Sequence, residues 1–410
     1  MFGMSITSIS SIMSKSKKKT ISAAYTLKQL DPLLGINGNV SVYMDNSANN
    51  IYLCSGVGNI YVGNIISSPT TWSQSALANG SSGQFENRNW QSIVCNGSGQ
   101  YVVACVRSPT INDPSGVVFY SSNYGNTFTM SNISANTYCF SMAMSSDGNY
   151  TYLSAWGEPT PLSTGFTNVG NLYKSLDQGI TWSIINLSAN GYNFTKLASQ
   201  VRCNSTGEYI SLSFWKGLRE ATILSNYGNT ILYTGVAGGF GYINSSPGII
   251  TGVGGAGVGV IAINRTTSVN YSYMDKVSVY TTSPFTSYMG VSQNSPHTFA
   301  QDPGANTYYP WTGMRQISST SDFKTILLTN TGQAGSTSTY GNIYICSNGM
   351  YALSWFSTAN VNGAGDWSNF TTANNIPKAN WSGICVNYND SFAIANTVGN
   401  VYIYSKPLII

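Results

Sequence analysis

A short segment near the middle of the chain, residues 175–182, constrains the fold more than any other feature. It has the pattern S-x-D-x-G-x-T-W and stands between two runs of strand-forming residues. The Asp177 carboxylate can accept hydrogen bonds from nearby backbone N–H groups, and Gly179 can supply the positive φ of a tight turn. Trp182 can anchor the turn by burying its ring. The segment therefore predicts a turn between two antiparallel strands.

Two weaker copies of this pattern lie at residues 121–128 and 224–230, where Asn replaces Asp as the turn acceptor. Three copies make a repeat. The residues assigned to the repeated turn are Ser175, Asp177, Gly179, Thr181 and Trp182 in the first copy, Asn123, Gly125 and Thr127 in the second, and Asn226, Gly228 and Thr230 in the third.

The repeated turn resembles the Asp-box of the BNR family of β-propellers, which includes sialidases, sortilin-type receptors and many non-catalytic propellers. The resemblance implies that each box joins the third and fourth strands of a blade, on the face away from the binding site. It also implies that Asp177 is a structural residue and not a catalytic one, since function on such a fold resides in a separate site.

The rest of the chain repeats one arrangement, in which short alternating apolar runs are separated by Gly, Asn, Ser or Pro turns. Only 8% of the 410 residues are charged, and Glu is too scarce to build amphipathic helices. The sequence predicts an all-β fold, a single β-propeller of about seven four-stranded blades with Asp-box turns. The predicted blades are 40–77, 90–133, 139–187, 195–235, 250–285, 314–357 and 381–405.

The predicted propeller spans residues 21–410, and residues 1–20 form a separate Ser- and Lys-rich arm. The last blade is one strand short, so the run 21–27 is expected to pair with it and close the ring. The arm does not resemble a signal peptide, because its lysines follow the apolar residues instead of preceding them and serines interrupt the apolar run. It is either a solvated tail or a segment that docks on a partner through its basic cluster, Lys15, Lys17, Lys18 and Lys19.

Composition also bears on partners and compartment. The net charge of +4 is small and partly concentrated in the arm, which disfavours a nucleic-acid interface spread over the domain. No apolar run is long enough to predict a transmembrane helix. The seven cysteines lack metal-type spacing and lie mostly in apolar runs, so we expect buried free thiols and folding in a reducing compartment. The alternative is one or two disulfides between neighbouring strands.

Two features resemble catalytic or cofactor motifs but lack the required context. Residues 252–257 satisfy G-x-G-x-x-G with Asp275 downstream, yet an apolar, β-branched run follows where a dinucleotide fold needs a helix. The single histidine, His297, has no metal-type spacing around it. We therefore expect no cofactor and no metal.

The family resemblance invites a test for a sialidase-type site, which needs an arginine triad, a Tyr/Glu pair and an Asp acid. The chain has six arginines, lacks the N-terminal R-I-P-type signature and has only 14 carboxylates, with no marked pair. Exposed Tyr, Asn and Ser in loops such as 306–311 and 349–355 could still bind neutral glycans or protein surfaces.

These observations favour a non-enzymatic structural or interaction protein, a rigid propeller scaffold within a larger assembly. The composition is similar to that of structural proteins of large DNA viruses, so a minor capsid or virion component, or a cytoplasmic assembly, is the expected setting. The alternative is a glycan-binding or sialidase-like glycan-hydrolysing propeller, which clustering of Arg, Glu and Tyr opposite Asp177 would favour.

Overall fold

The computed structural model describes a little over half of the chain. The described residues are 26–30, 36–65, 71–77, 88–107, 118–133, 138–156, 170–185, 198–214, 220–236, 245–250, 257–266, 274–281, 314–319, 326–330, 341, 343–346, 367–379, 381–387, 391–396 and 400–405.

The strands of this part of the chain form seven sheets. The first strand of a sheet is here the strand that begins its antiparallel meander, and the sheets are numbered 1 to 7 in the chain order of these strands, which are β2, β7, β11, β15, β19, β22 and β26. Sheet 1 contains β2 (Asn37–Met44), β3 (Asn50–Val57), β4 (Ile60–Asn64) and β5 (Thr71–Gln74). Sheet 2 contains β6 (Ala76–Leu77), β7 (Trp90–Cys95), β8 (Val102–Val106), β9 (Val118–Ser121) and β10 (Thr127–Met130). Sheet 3 contains β11 (Tyr138–Met144), β12 (Thr151–Trp156), β13 (Gly170–Ser175) and β14 (Ser183–Ile184).

Sheet 4 contains β15 (Ala198–Cys203), β16 (Ile210–Phe214), β17 (Glu220–Ser225) and β18 (Thr230–Val236). Sheet 5 contains β19 (Ser245–Ile250), β20 (Gly257–Thr266) and β21 (Met274–Thr281). Sheet 6 contains β22 (Met314–Ser319), β23 (Ile326–Asn330), β24 (Ile343–Cys346) and β25 (Trp367–Asn369). Sheet 7 contains β1 (Thr26–Gln29), β26 (Trp381–Val386), β27 (Phe392–Asn396) and β28 (Val401–Ser405).

The expectation of about seven uniform four-stranded blades is wrong in its detail. Four sheets, numbers 1, 3, 4 and 6, are meanders of four consecutive strands. Sheet 2 has a fifth strand because β6 pairs parallel to β10, and sheet 5 has three described strands. Sheet 7 takes its outer strand from the other end of the chain. The short apolar run at Ala76–Leu77, which had been assigned to the first blade, supplies the parallel strand.

Sheet 7 joins the two ends of the chain. Strand β1 runs antiparallel to β28, with Thr26 opposite Ser405 and Gln29 opposite Tyr402, and Leu30 N–H donates to Val401 O at 2.9 Å. Strand β1 shares residues 26 and 27 with the run 21–27 that was expected to pair here, and it continues to Gln29. Residues 21–25 lie outside the described part of the chain. The outer edge of β28 is therefore covered by backbone hydrogen bonds.

The first strands of the sheets lie side by side in a closed cycle. In that cycle β2 contacts β7, and the contacts continue through β11, β15, β19, β22 and β26, which returns to β2. We call the space that these strands surround the central channel. Apolar clusters fill the interfaces between sheets 7 and 1, 1 and 2, 2 and 3, 3 and 4, and 6 and 7. In one of them Val94 and Val103 of sheet 2 pack with Met142 and Leu153 of sheet 3.

Helices are minor elements of the described chain. One α-helix, Phe370–Ala373, follows β25, and a 3-10 helix, Asn226–Gly228, lies between β17 and β18. Within the described ranges, no helix has the length and apolar character needed to span a membrane.

Candidate functional site

The turn at residues 175–182 joins β13 to β14, the third and fourth strands of sheet 3. The Asp177 carboxylate accepts the Thr181 N–H at 2.8 Å and the Thr181 hydroxyl at 2.6 Å. Ser175 Oγ accepts the Gly179 N–H at 2.8 Å and donates to Asp177 Oδ1 at 2.8 Å. These side chains satisfy the backbone groups that the turn leaves without a strand partner.

Trp182 ties this turn to the neighbouring sheet. Its indole N–H donates to Ser131 Oγ at 2.7 Å and to Gly179 O at 3.0 Å. Ser131 follows the outer strand of sheet 2, and its hydroxyl donates to Ile180 O at 3.0 Å. The ring is half-buried, so Trp182 anchors the turn by hydrogen bonds as well as by burial.

Glycine is required at the turn for two reasons. Gly179 has φ +92°, a backbone conformation that costs an L residue energy, and its neighbour Gln178 has φ +60°. A Cβ added to Gly179 would stand 2.6 Å from Val103 Cγ2 in sheet 2. The turn therefore packs against the preceding sheet at a distance that only glycine permits.

The second copy, at residues 121–128, repeats this geometry with an amide. Ser121 Oγ accepts the Gly125 N–H at 3.0 Å, and Asn123 Oδ1 accepts the Thr127 N–H at 3.0 Å. Asn123 Nδ2 donates to Thr127 Oγ1 at 2.8 Å, so the direction of this bond is reversed relative to the first copy. Asn thus replaces Asp as the turn acceptor, as the sequence predicts.

The third copy, at residues 224–230, keeps the backbone but not the side-chain bonds. Tyr227 has φ +54° and Gly228 has φ +89°, close to the values in the other two copies, but Asn226 also has a positive φ of +49°, unlike Asp177 and Asn123. Leu224 stands where the others have serine and is fully buried in the core. Ser225 makes no side-chain cap, and in the described part of the chain Asn226 accepts only through its backbone, from the Asn229 N–H at 3.1 Å.

The hydrogen bonds of the first copy change the ionisation of its acid. Partial burial raises the pKa of the Asp177 carboxyl, but the bonds from Thr181 and Ser175 together outweigh it, so the pKa lies below its ordinary value. Asp177 therefore stays ionised at neutral pH and acts as an acceptor, which is unsuited to general-acid chemistry.

A second set of turns, between the first and second strands, lies at the same ends of the sheets as the third-to-fourth-strand turns and forms a row. The turns are joined by backbone bonds from Asn46 N–H to Gly97 O at 2.9 Å, Gly97 N–H to Ser146 O at 2.7 Å, and Ser146 N–H to Ser205 O at 2.7 Å. Sheet 7 joins the row through Asn387, whose amide donates to Asp45 O at 2.8 Å. We call this set the turn row. It links five sheets without shared strand pairing.

Serines of the first strands bridge neighbouring sheets in the central channel. Ser382 Oγ accepts the Val40 N–H at 3.0 Å, and Ser318 Oγ accepts the Val386 N–H at 3.1 Å. Ser41 Oγ accepts from Ile93, and Ser141 Oγ accepts from Val201, both at 3.3 Å. Since first strands of different sheets do not pair directly, these hydroxyls satisfy N–H groups on their inner edges.

A single arginine, Arg202 on β15, joins this arrangement. Its Nη1 donates to Ser141 Oγ at 3.2 Å and to Val201 O at 3.0 Å, and the side chain is half-buried. Burial raises the pKa of the Cys385 thiol to about 12, although the Met44 backbone and the Arg202 charge oppose the rise. The charge of Arg202 thus lowers the pKa of a thiol on the first strand of sheet 7.

Solved structures share this arrangement of sheets. The β-propeller domain of Myceliophteria thermophila Cps50 (Swd1) matches 93% of this chain and 99% of that domain with a TM-score of 0.50 and 8% identity. The Dos1 propeller matches 92% of this chain and 95% of that chain with a TM-score of 0.51 and 10% identity. The fold is a β-propeller. No protein-family model matches the sequence, and no curated protein matches it.

Two tryptophans occupy equivalent places in the propeller. Trp90 begins the first strand of sheet 2, and its indole donates to Gly58 O of sheet 1 at 3.1 Å. Trp381 begins the first strand of sheet 7, and its indole donates to Gly341 O of sheet 6 at 2.6 Å. Both are buried. Residues 90–104 and 381–395 are similar in sequence, since each begins with Trp and continues as strand, polar turn and second strand. In both segments the Trp makes the same contact with the preceding sheet.

The structure describes the side chains of three arginines. Arg88 is buried with its guanidinium 5.0 Å from the centre of the Phe119 ring, Arg107 is exposed, and Arg202 lies in the channel. Glu208 lies in a first-to-second-strand turn, beside Tyr209. The described residues contain no group of three or more His, Cys, Asp and Glu side chains that could hold a metal.

Several sequence-predicted features lie outside the described residues. They are Lys15, Lys17, Lys18, Lys19, His297, Gly252, Gly254 and the loops 306–311 and 349–355. Gly257 begins β20 and Asp275 lies on β21, so the residues after the glycine-rich motif form a strand, as expected. Six described cysteines are free thiols, of which five are buried and Cys203 is half-buried.

Proposed function

We propose that the chain is a non-enzymatic propeller scaffold that binds other proteins of a larger assembly. Two features support a rigid scaffold: the turn row, which links neighbouring sheets, and the pairing of β1 with β28. Rigid elements of this kind hold exposed side chains in fixed positions, which lowers the entropy cost of binding.

The observation that carries the proposal is a group of exposed apolar side chains on the rim. All the exposed large hydrophobic residues of the described chain lie on sheets 2 and 3, in their third-to-fourth-strand turns or fourth strands. They are Tyr124, Met130, Leu176, Ile180 and Ile184, with exposed fractions of 46%, 50%, 60%, 38% and 56%. We call this group the rim patch. Exposed apolar groups that cluster mark sites of protein association.

The backbone brings the two halves of the rim patch together. Asn132 N–H donates to Ile180 O at 3.2 Å, and Ser131 Oγ donates to the same oxygen at 3.0 Å. Met130 precedes these residues directly, so the end of β10 adjoins the turn of sheet 3. A protein partner with an apolar contact surface fits this patch better than a charged polymer does, because no residue of the patch is charged.

The test compares the native chain with a rim variant, Met130→Gln, Ile180→Gln and Ile184→Gln together, by size-exclusion chromatography of extracts from the cells that make it. The native chain should elute in an assembly well above its mass of 43.9 kDa, and the rim variant should shift toward that mass. The matched control replaces three exposed residues of β5, Thr71, Ser73 and Gln74, by alanine and should keep the assembly. A native chain that elutes as a monomer, or a rim variant that keeps the assembly, contradicts the proposal.

The same proposal includes the number of blades, the class of the turn at residues 175–182 and the setting of the protein. We propose that the sheets are the blades of a seven-bladed ring, which the cyclic contacts of the first strands support. We propose that the turn at residues 175–182 is an Asp-box, supported by its place between third and fourth strands. We propose a setting in a virion or a cytoplasmic assembly, with the arm and its lysines docking on a partner, which the composition supports.

A further inference from the structure

One layer of equivalent positions on the first strands lies near the turn row. It consists of the second-to-last residues of six first strands, Tyr43, Val94, Ala143, Arg202, Ser318 and Cys385. Their strand registers are similar: five of them pair with the second residue of the following strand in their sheet, and Tyr43 pairs with Tyr52, the third residue of β3. Arg202 is the charged member of this layer, and the other five are neutral.

The backbone of β15 shows where the Arg202 guanidinium lies. The Val201 N–H donates to Ser141 Oγ at 3.3 Å, and Val201 O accepts Arg202 Nη1 at 3.0 Å. Both polar groups of Val201 therefore point away from β16, toward the inner edge of the sheet. Since Nη1 binds on that edge, the guanidinium lies on the channel side of β15.

Most hydrogen-bond donors of the Arg202 guanidinium have no partner among the described residues. An arginine has five N–H donors in a planar fork, and only Nη1 donates to described residues, to Ser141 Oγ and Val201 O. None of the carboxylates that the structure describes contacts Arg202 or contributes to its ionisation; the contributing groups are Tyr43, Cys385 and Cys203. A half-buried cation with no counter-charge among the described residues attracts an anion more strongly than an exposed one, because water screens it less.

We propose that the central channel binds an oxyanion group, a carboxylate or a phosphate, on the free donors of Arg202. The two donors on one side of a guanidinium match two oxygens of either group in a bidentate pair. The residues at the equivalent positions of the other five strands carry no negative charge that would compete with the anion. This inference goes beyond the scaffold function and does not depend on it.

Isothermal titration calorimetry of the full chain tests the site, with inorganic phosphate and acetate as separate probes in a buffer that contains neither. The native chain should bind at least one probe saturably with a stoichiometry of one. The probe that binds more tightly identifies the group. Arg202→Gln should weaken that binding at least tenfold, whereas Arg107→Gln, which removes the same charge at an exposed position, should leave it unchanged.

A further variant covers the case in which Arg202→Gln does not fold. Arg202→Lys keeps the charge but lacks the planar fork, so it should keep the native circular dichroism spectrum and bind the probe more weakly than the native chain. The proposal is overturned if the native chain binds neither probe saturably at tens of millimolar. It is also overturned if a folded Arg202 variant binds as tightly as the native chain, or if Arg107→Gln weakens binding equally.

Discussion

The turns of sheets 3 and 4 take nearly the same backbone path with very different side-chain support. In sheet 3, Ser175 and Asp177 bind the backbone of the turn; in sheet 4, Leu224 and Asn226 stand in their places and do not. Both turns keep positive φ at the two central residues, 178 and 179 or 227 and 228, and the sheet 4 turn adds a third positive φ at Asn226. The comparison indicates that glycine and close packing set the path, while the hydroxyl and carboxylate add stability to it.

The largest expected effect comes from the glycine that both turns share. Gly179→Ala should lower the free energy of unfolding by about 3 kcal/mol, because strain at positive φ adds to a clash with Val103. Gly228→Ala should cost about as much, since its Cβ would stand 2.7 Å from Ile185 Cδ1. Urea unfolding measures both. Leu176→Ala, at an exposed position of the same turn, is the control and should change little. A neutral Gly228→Ala would break the comparison.

The next effect separates the two turns. Asp177→Ala should lower the free energy of unfolding by about 1–2 kcal/mol, the scale of a lost cap. Asn226→Ala should stay within about 0.5 kcal/mol, because its side chain is exposed and makes no hydrogen bond to the described residues. Equal losses in the two urea titrations would show that the side-chain bonds of sheet 3 add nothing to the turn.

The anchor of the sheet 3 turn should contribute less. Trp182→Phe removes the indole donor to Ser131 Oγ and Gly179 O but keeps an aromatic ring, so the expected loss is about 1 kcal/mol. The equivalent residue in sheet 2 is Phe128, which already lacks a donor. Phe128→Leu therefore provides a packing control, and a Trp182→Phe protein as stable as the native chain would contradict the anchoring role.

The smallest expected effect is a pH dependence. Since the pKa of Asp177 is lowered in the folded chain, its contribution is fully present above its ordinary pKa of about 4 and is lost as the pH falls through the folded value. The stability difference between the native chain and Asp177→Asn should thus shrink as the pH falls below about 4. Urea titrations of the pair cancel the contribution of Asp147, whose pKa is also lowered. A difference that grows in acid would have the wrong sign.

Local patterns predicted the turns better than the assembly of sheets. The S-x-D-x-G-x-T-W pattern led to the bonds of Asp177 and the positive φ of Gly179 because all its partners lie within the turn. The parallel pairing of β6 with β10 could not be predicted from the sequence, because a two-residue strand is too short to show an alternation of apolar and polar residues.

A short sequence pattern marks three of the turns in the turn row. The pattern N/S-x-x-G-x-Y occurs at residues 96–101, 145–150 and 204–209, in each first-to-second-strand turn of sheets 2, 3 and 4. It predicts similar turns, but the bonds between turns, such as Gly97 N–H to Ser146 O, depend on how sheets sit together. Arg202 was missed for the same reason, because its place in the channel follows from strand register and not from neighbouring residues.

The closure of the propeller by β1 is the central structural claim, and hydrogen exchange measured by mass spectrometry tests it most directly. Peptides that cover residues 26–30 should exchange as slowly as those of β27, and deletion of residues 1–29 should expose the amides of β28. If residues 26–30 exchange at the rate of an unfolded chain while β27 stays protected, the ends of the chain are not joined as described.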